Sequence, residues 1–217
     1  MKLHQLSQKN SLLNHFLLQL RDVNVQGDAM RFRANMKRLG QVMAYEISKE
    51  LSYTAVEVTT PLGKKQSHTL SGKIVVCSVL RAGLALHDGL LDFFDDAENG
   101  FISAYRHHPN NDEYFEIVAD YKAVPDLNGK IVLLADPMLA TGQSLIAVYE
   151  KLFKDAQPAQ VHVAVAIAAP EGVAYLQEHL PDSHQVWIGD IDSHLNDKKY
   201  IVPGLGDAGD LAYGTKL

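Results

Sequence analysis

The segment best suited to chemistry covers residues 129–144, where an apolar stretch ends in an acid and a Thr-Gly turn then opens a helical pattern. Ile131–Ala135 is short and has no polar alternation, which predicts a central strand of a parallel sheet. Leu145, Val148 and Leu152 then recur at helical spacing. The loop between them therefore lies at a helix N-terminus, where unpaired backbone N–H groups and the helix dipole bind anions.

Asp136 and the turn after it suit a ligand that carries both a sugar and a phosphate. The Asp136 carboxylate stands at the predicted strand end and can accept hydrogen bonds from paired hydroxyls such as those of a ribose, while residues 140–144 can wrap an attached phosphate. The alternative is an ordinary strand–turn–helix connection with an incidental acid. A Walker loop is excluded, because no Gly-x4-Gly-Lys-Ser/Thr string occurs.

Two arginines follow other predicted strands. Arg81, in the run Val-Leu-Arg-Ala-Gly at 79–83, offers a planar fork of donors suited to phosphate or diphosphate, and Arg106 is similar. Taken singly, each arginine is also compatible with a surface ion pair. Their position favours the first interpretation, because both follow strands of the sheet predicted for Asp136, and ligands of such sheets bind at the carboxyl ends of the strands.

The C-terminal residues 192–217 are rich in Gly, Asp and Asn and have no helical period. The string from Gly204 to Gly209 satisfies the Gly-x-Gly-x-x-Gly pattern of dinucleotide-binding folds. That pattern needs a following helix and strand in a unit of about 30 residues, and eight residues follow Gly209. The glycines instead predict backbone that passes close to a flat ligand, and a pyrimidine base would fit such a wall. The apolar Tyr-Ile-Val-Pro run at 200–203 anchors this tail.

Composition limits the possible classes of protein. The chain of 217 residues is 47% hydrophobic, which predicts one globular domain over 1–217. Its net charge of −6 gives no general field for nucleic acid. We expect a cytoplasmic location and no membrane contact, because the first ten residues lack the apolar core of a secretion signal and no stretch reaches about 18 apolar residues. The single cysteine, Cys77, lies in an apolar run and is predicted to be buried and inert. The ten histidines form no metal-binding pattern.

The order of the elements predicts an α/β fold with a mainly parallel sheet flanked by helices. An N-terminal helical segment, 1–60, contains amphipathic helices at 10–20 and 30–51, which pack over the sheet or against another subunit. Residues 64–71 are predicted to be a polar loop, and 115–124 to form a hairpin arm. Strands are predicted at 73–79, 101–106, 129–135, 160–169 and 185–191, with helices at 84–94, 143–154 and 171–180.

Several of these motifs resemble those of uracil phosphoribosyltransferases in order and spacing. The resemblance is carried by Leu80-Arg81-Ala82-Gly83, Tyr105-Arg106, the segment 136–144 with its Pro-Met-Leu-Ala filling, Ala168-Ala169-Pro170-Glu171-Gly172, the tail 200–209, and Gly214-Thr215. It implies a type I phosphoribosyltransferase fold with a C-terminal base-binding tail at 192–217. It also implies a homo-oligomer and the reaction of uracil with 5-phosphoribosyl-1-diphosphate (PRPP) to give UMP and diphosphate, with Mg²⁺ held mainly by the diphosphate.

The resemblance also implies roles for individual residues. Arg81 and Arg106 match the diphosphate contacts, and Asp207 faces PRPP as well as uracil; with Asp136 these form the catalytic set. The rest of the PRPP loop comprises Pro137, Met138, Leu139, Ala140, Thr141, Gly142, Gln143 and Ser144. The uracil site comprises Ile201, Gly206, Asp207 and Ala208. No side chain is assigned as a metal ligand.

Four features bear on how closely the chain follows this family. Pro137 occupies the place of a second acid found in many related phosphoribosyltransferases, as it does in the uracil enzymes, and therefore favours uracil over a purine. Gln143 stands where Gly is common and could crowd the phosphate turn. Leu211 stands where a basic residue is common, and the residues after Arg106 differ from the usual acidic loop. Two alternatives stay open: a PRPP- or nucleotide-sensing regulatory protein of the same fold, and a transferase for another base.

Overall fold

The computed structural model of the chain describes residues 1–103 and 121–215, together with the backbone of 105–107 and 116–118. The helices are α1 (Leu12–Arg21), α2 (Ala29–Ser48), α3 (Leu84–Leu91), α4 (Gln143–Phe153), α5 (Pro170–His179) and α6 (Ala208–Tyr213). The strands are β1 (Lys2–Gln5), β2 (Tyr53–Thr60), β3 (Gly63–Leu70), β4 (Ile74–Leu80), β5 (Glu98–Ser103), β6 (Tyr105–His107), β7 (Glu116–Val118), β8 (Lys122–Ala123), β9 (Ile131–Ala135), β10 (Met138–Leu139), β11 (Gln160–Ala168), β12 (Gln185–Ile191), β13 (His194–Leu195) and β14 (Ile201–Val202).

The main sheet has the strand order β1-β12-β11-β9-β4-β5-β8, with β10 paired to β11. Every pairing in it is parallel except that of β5 with β8. This arrangement confirms the predicted α/β class. The central strands β4, β9 and β11 are almost completely buried, which explains why they are apolar runs without alternation.

Helices cover both faces of the sheet. One apolar cluster joins α1, α2, α3 and α6 to one face, and a second joins α4 and α5 to the other. Helices α2 and α3 touch at Gly40 and Gly89: a Cβ at Gly40 would lie 2.3 Å from the carbonyl oxygen of Leu86. Among the described helices, none has the length and apolarity needed to cross a bilayer.

The two N-terminal helices lie where the sequence predicted them. The Ser11 hydroxyl caps α1, and the Asp28 carboxylate accepts hydrogen bonds from the N–H groups of Met30 and Arg31 at the start of α2. The stripe of α2 that includes Met36 and Met43 is fully buried against the chain's own core. Of the two packing alternatives, the structure therefore supports packing over the sheet.

Four segments differ from the sequence prediction. Residues 64–71 are not a polar loop, because Gly63–Leu70 pairs antiparallel with Tyr53–Thr60 along its whole length. Almost all side chains of this ribbon are exposed, so neither strand carries the apolar alternation that marks a strand. The strand predicted at 101–106 is two strands, β5 and β6. The polar first residues form edge strand β1, and the tail contains helix α6.

The segment predicted as a hairpin arm does form antiparallel strands. Strand β7 pairs with β6, and β8 pairs with β5.

Candidate active site

A cleft of about 590 Å³ opens at the carboxyl ends of the central strands. Its wall consists of the ends of β4 and β9, the loop into α4, and two pieces of the C-terminal tail. Carboxyl ends of parallel strands are where α/β sheets bind ligands, because loops and helix N-termini meet there. The cleft is lined by Val79, Leu80, Arg81, Ala82, Asp136, Met138, Leu139, Ala140, Thr141, Gly142, Ser144, Leu145, Lys198, Lys199, Tyr200, Ile201, Gly206, Asp207 and Gly209.

The loop into α4 has the geometry of an anion site. Gly142 is the N-cap residue with φ of +81°, a left-handed conformation that favours glycine, and no side chain caps the helix. The Gln143 N–H donates to Thr141 Oγ1 at 3.4 Å, a long hydrogen bond, and the N–H groups at a helix start without a capping side chain can bind an anion. Helix α5 lies directly behind this loop, since a Cβ at Gly172 would lie 2.3 Å from the carbonyl oxygen of Ala140. Close backbone packing therefore supports the turn.

Asp136 follows the last residue of β9 and is half-buried in the cleft wall. Its Oδ1 accepts a hydrogen bond from the Met138 N–H at 3.3 Å, and its own N–H donates to the Ala164 carbonyl at 3.1 Å. Burial raises the pKa of the Asp136 carboxyl to about 6, and the bond from Met138 opposes that rise. A carboxylate this poorly solvated is set up to accept hydrogen bonds from a ligand.

Arg81 bridges the sheet and the C-terminal tail. Its Nη2 donates to Asp210 Oδ1 at 3.0 Å and to the Gly214 carbonyl at 3.1 Å, while its Nε is buried without a partner among the described residues. A buried donor left unpaired is costly, so this nitrogen fits an anionic ligand. Gly83 lets the turn after β4 pack closely against the end of β9, because a Cβ at Gly83 would lie 2.9 Å from the carbonyl oxygen of Ala135, the residue before Asp136.

The C-terminal tail contributes Ile201, Gly206 and Asp207 to the wall of the cleft. Ile201 is buried in β14, and Gly206 has φ of +89°. Asp207 is the N-cap of α6, and its Oδ1 accepts from the Asp210 N–H at 2.9 Å. Because Asp210 also pairs with Arg81, the tail and the β4 turn share one hydrogen-bond network. A flat ligand could lie against this wall of the cleft.

Comparison with known proteins identifies the family. A family model for uracil phosphoribosyltransferase matches residues 7–215. The chain belongs to the uracil phosphoribosyltransferase family. It is similar to the uracil phosphoribosyltransferase of Porphyromonas gingivalis, with 45% identity over 217 residues and full coverage of both chains.

Solved structures share this fold. A protein from Aquifex aeolicus is 35% identical over 99% of each chain, with a TM-score of 0.86. A hypoxanthine phosphoribosyltransferase from Staphylococcus aureus is 11% identical and superposes with a TM-score of 0.52, covering 91% of this chain and 94% of its own. That second likeness bears on the fold alone. The resemblance predicted from the sequence motifs is confirmed, as is the type I phosphoribosyltransferase fold.

Most residues that the family resemblance suggested lie around one cleft. Asp136 and Asp207 line the same hollow rather than separate ones. Pro137 is buried, and its carbonyl accepts from the N–H groups of Ala166 and Ile167 in β11. Ala208, the first residue of α6, is also buried, and neither residue is among those that line the cleft. Gln143, the first residue of α4, is exposed and is not among the residues that line the cleft. The Arg106 side chain lies outside the described residues.

Sequence reasoning missed two basic residues of the wall, Lys198 and Lys199. They occupy the turn between β13 and β14, next to the apolar anchor that the sequence did mark. Lys199 has φ of +63°, and it is the one non-glycine residue with positive φ among those described. Such a conformation is unfavourable for a lysine, so the local sequence contained no signal for it.

Family membership implies Mg²⁺, and the donor groups of the cleft fit a metal carried mainly by the substrate. Among the described residues, no group of three or more His, Cys, Asp or Glu could hold a metal ion. The cleft itself offers the carboxylates of Asp136 and Asp207. Mg²⁺ is commonly bound through one or two carboxylates plus substrate phosphates.

Cys77 is buried as predicted, and burial raises the pKa of its thiol to about 12, which removes it as a nucleophile.

Proposed function

We propose that this chain transfers the 5-phosphoribosyl group from PRPP to uracil, giving UMP and diphosphate. One observation carries the proposal: in a chain of the uracil phosphoribosyltransferase family, the Asp136 loop and the glycine-rich tail with Asp207 line one cleft. A sugar phosphate on one wall and a base on the other would then meet between the two carboxylates. The same activity would serve pyrimidine salvage.

PRPP binding would use three groups of donors and acceptors. The Asp136 carboxylate accepts hydrogen bonds from the ribose hydroxyls, and the uncapped start of α4 at 141–144 holds the 5-phosphate. Arg81 and Arg106 bind the diphosphate. The unpaired Nε of Arg81 supports its part of this assignment, because that donor would gain a partner.

The uracil wall would be built mainly from backbone. Ile201 would supply an apolar face, and the N–H and C=O groups of 206–208 would face the edge of the base. Of these residues, Ile201, Gly206 and Asp207 line the cleft. Backbone donors and acceptors held at fixed spacing can distinguish uracil from cytosine, whose exocyclic amine is a donor where uracil has an acceptor. Asp207 stands at the join of the two subsites, where it favours positive charge on the ribose or orients the base.

The reaction breaks the bond between ribose C1 and the diphosphate oxygen, and the bonding electrons leave with diphosphate while positive charge builds on the ribose ring. Uracil N1 forms the new bond and releases its proton. The main tasks of the protein are to align the two reactants and to stabilise the departing anion. Arg81 and Arg106 serve the second task, and Mg²⁺, when bound with diphosphate, supplies further neutralising charge.

The deciding experiment incubates the protein with labelled uracil, PRPP and Mg²⁺ and follows UMP. Parallel reactions with cytosine, hypoxanthine and adenine test the choice of base. Formation of UMP alone supports the proposal, and faster reaction with another base would contradict it. An RNA-binding titration beside the assay tests the regulatory alternative, which the net charge of −6 and the family match do not favour.

We also propose that the chain forms a homo-oligomer in which ribbon β2–β3 contacts another copy. Both strands of this ribbon are eight residues long and almost wholly exposed. A two-stranded ribbon is at best marginally stable in water, so it needs a surface to pack on. The stripe of α2 that includes Met36 and Met43 is buried within the chain, whereas Leu12 and Leu18 of α1 stay exposed. The cytoplasmic location stays a prediction.

A further inference from the structure

A buried ion pair joins the N-terminal helices to the end of the sheet. Arg21 is the last residue of α1, and Asp192 follows the last residue of β12. Nη1 of Arg21 donates to Oδ2 of Asp192 at 2.8 Å, and Nη2 donates to Oδ1 at 2.7 Å. The Arg21 side chain is 19% exposed and the Asp192 side chain 4%. Bidentate pairs of this kind fix direction as well as distance.

The pair also holds both backbone polar groups of Gly204. Oδ2 of Asp192 accepts from the Gly204 N–H at 3.0 Å, and the Gly204 carbonyl accepts from Nη1 of Arg21 at 2.9 Å. Gly204 has φ of +63°, and a Cβ on it would lie 2.2 Å from the Ile201 carbonyl oxygen. Gly204 itself therefore has no side chain to anchor it, although its neighbour Leu205 is buried in the core. We call Arg21, Asp192 and Gly204 the tail clamp.

Hydrogen bonds fix the backbone of both charged residues of the tail clamp, Arg21 and Asp192. The Asp192 N–H donates to the carbonyl of Ala168 at the end of β11, at 2.8 Å. The Arg21 carbonyl accepts from the Gln26 side chain at 3.0 Å. Asp190 makes a further contact with Arg21, from Nη2 to Oδ2 at 3.1 Å, but its hydrogen bonds do not include Gly204. The clamp thus ties the tail to the same sheet edge that carries the cleft.

We propose that Arg21 and Asp192 are positioning residues for the uracil site, an inference that rests on the proposed function. Neither residue belongs to the cleft wall, so both act through Gly204. Gly204 lies between Ile201 and Gly206, two of the tail residues that would face the base. A wall made of backbone groups recognises a base only if those groups are held within fractions of an ångström, and the tail clamp supplies that constraint.

Steady-state kinetics of three variants test this proposal. Asp192→Asn and Arg21→Lys should each raise the KM for uracil about tenfold or more, the effect of losing a hydrogen bond to a charged group, while the KM for PRPP changes less than about twofold. Asp190→Asn is the matched control, because it removes a carboxylate from Arg21 without touching Gly204. Its two KM values should stay within about twofold of wild type. Equal rises in both KM values, or no rise for uracil, would overturn the proposal.

Hydrogen exchange followed by mass spectrometry separates this inference from the proposed function. Peptides covering 201–208 should exchange faster in the clamp variants, and peptides covering 136–144 should not. If the wild type forms no UMP, the proposed function fails, yet exchange still decides whether the clamp holds the tail. If 201–208 exchanges as in wild type, the clamp is refuted although uracil transfer stands. Arg21→Lys, which keeps the charge, carries both tests if Asp192→Asn does not fold.

Discussion

The proposed role of Asp136 requires an ionised carboxylate, but burial makes the ionised form unfavourable for folding. Burial raises its carboxyl pKa from 3.8 to about 6. The folded chain therefore binds this proton more tightly than the unfolded chain does. The associated stability is complete below about pH 4 and is lost as the pH rises through about 6.

Asp136→Asn should accordingly separate stability from activity. At pH 8 we expect the free energy of unfolding of the variant to exceed that of wild type by about 1–3 kcal/mol, so that it unfolds at a higher temperature, and this advantage should vanish near pH 4. UMP formation should lose about 2–4 kcal/mol of transition-state stabilisation, because a preorganised acceptor for the ribose is gone. Thermal unfolding from pH 4 to 8 and kcat/KM for PRPP measure the two effects. Near-normal turnover would refute the ribose role.

Arg81→Ala should mainly weaken PRPP binding. The variant loses the buried donor Nε and also the contacts with Asp210 and Gly214 that hold α6. We expect the KM for PRPP to rise about 10- to 100-fold, which corresponds to a lost charge-assisted contact. Asp210→Asn is the control for the second effect, because it removes the ion pair and leaves the guanidinium in place. If both variants raise the KM equally, Arg81 serves the tail rather than PRPP.

At the scale of elements, the conformation of the loop into α4, which we propose as the phosphate site, depends on how closely α5 approaches it. Alanine suits a helix better than glycine by about 1 kcal/mol, yet a Cβ at Gly172 would lie 2.3 Å from the Ala140 carbonyl oxygen. Because the clash is with backbone, its cost exceeds the gain in helix propensity. Gly172→Ala should lower stability by about 1–3 kcal/mol and raise the KM for PRPP several-fold.

Gly40→Ala is the matched control for this prediction. Its Cβ would meet the Leu86 carbonyl oxygen at the same 2.3 Å, but between α2 and α3, away from the phosphate loop. It should lower the unfolding temperature comparably while the KM for PRPP stays near wild type. A proportionate loss of PRPP affinity in both variants would show that the effect comes from general destabilisation.

Burial decides which elements the sequence could predict. Strand β9 and strand β12 were predicted within two residues because their apolar runs report the buried centre of a parallel sheet. Strand β3 was not, because its exposed residues include two lysines, a glutamine and a histidine, and its pairing with β2 comes from backbone hydrogen bonds. The cleft followed from strand ends, whereas Lys199 and the tail clamp depend on tertiary turns that no local pattern marks.

For the whole molecule, ribbon β2–β3 is the part that the single chain leaves without support. Val58 is 44% exposed and Leu62 is fully exposed. Exposed apolar side chains on a two-stranded ribbon indicate a contact surface. A second copy of the chain is the partner that we propose for this surface.

Val58→Glu combined with Leu62→Ser should therefore shift the chain toward a smaller species, because a buried charge is strongly unfavourable at an apolar contact. Sedimentation velocity at micromolar concentration measures the shift, and the variant should keep its helix content by circular dichroism. Leu12→Ser is the control, since Leu12 is 70% exposed on α1 and outside the ribbon, and it should leave the mass unchanged. A wild-type chain that sediments as a monomer, or a ribbon variant that keeps the wild-type mass, would contradict the proposed assembly.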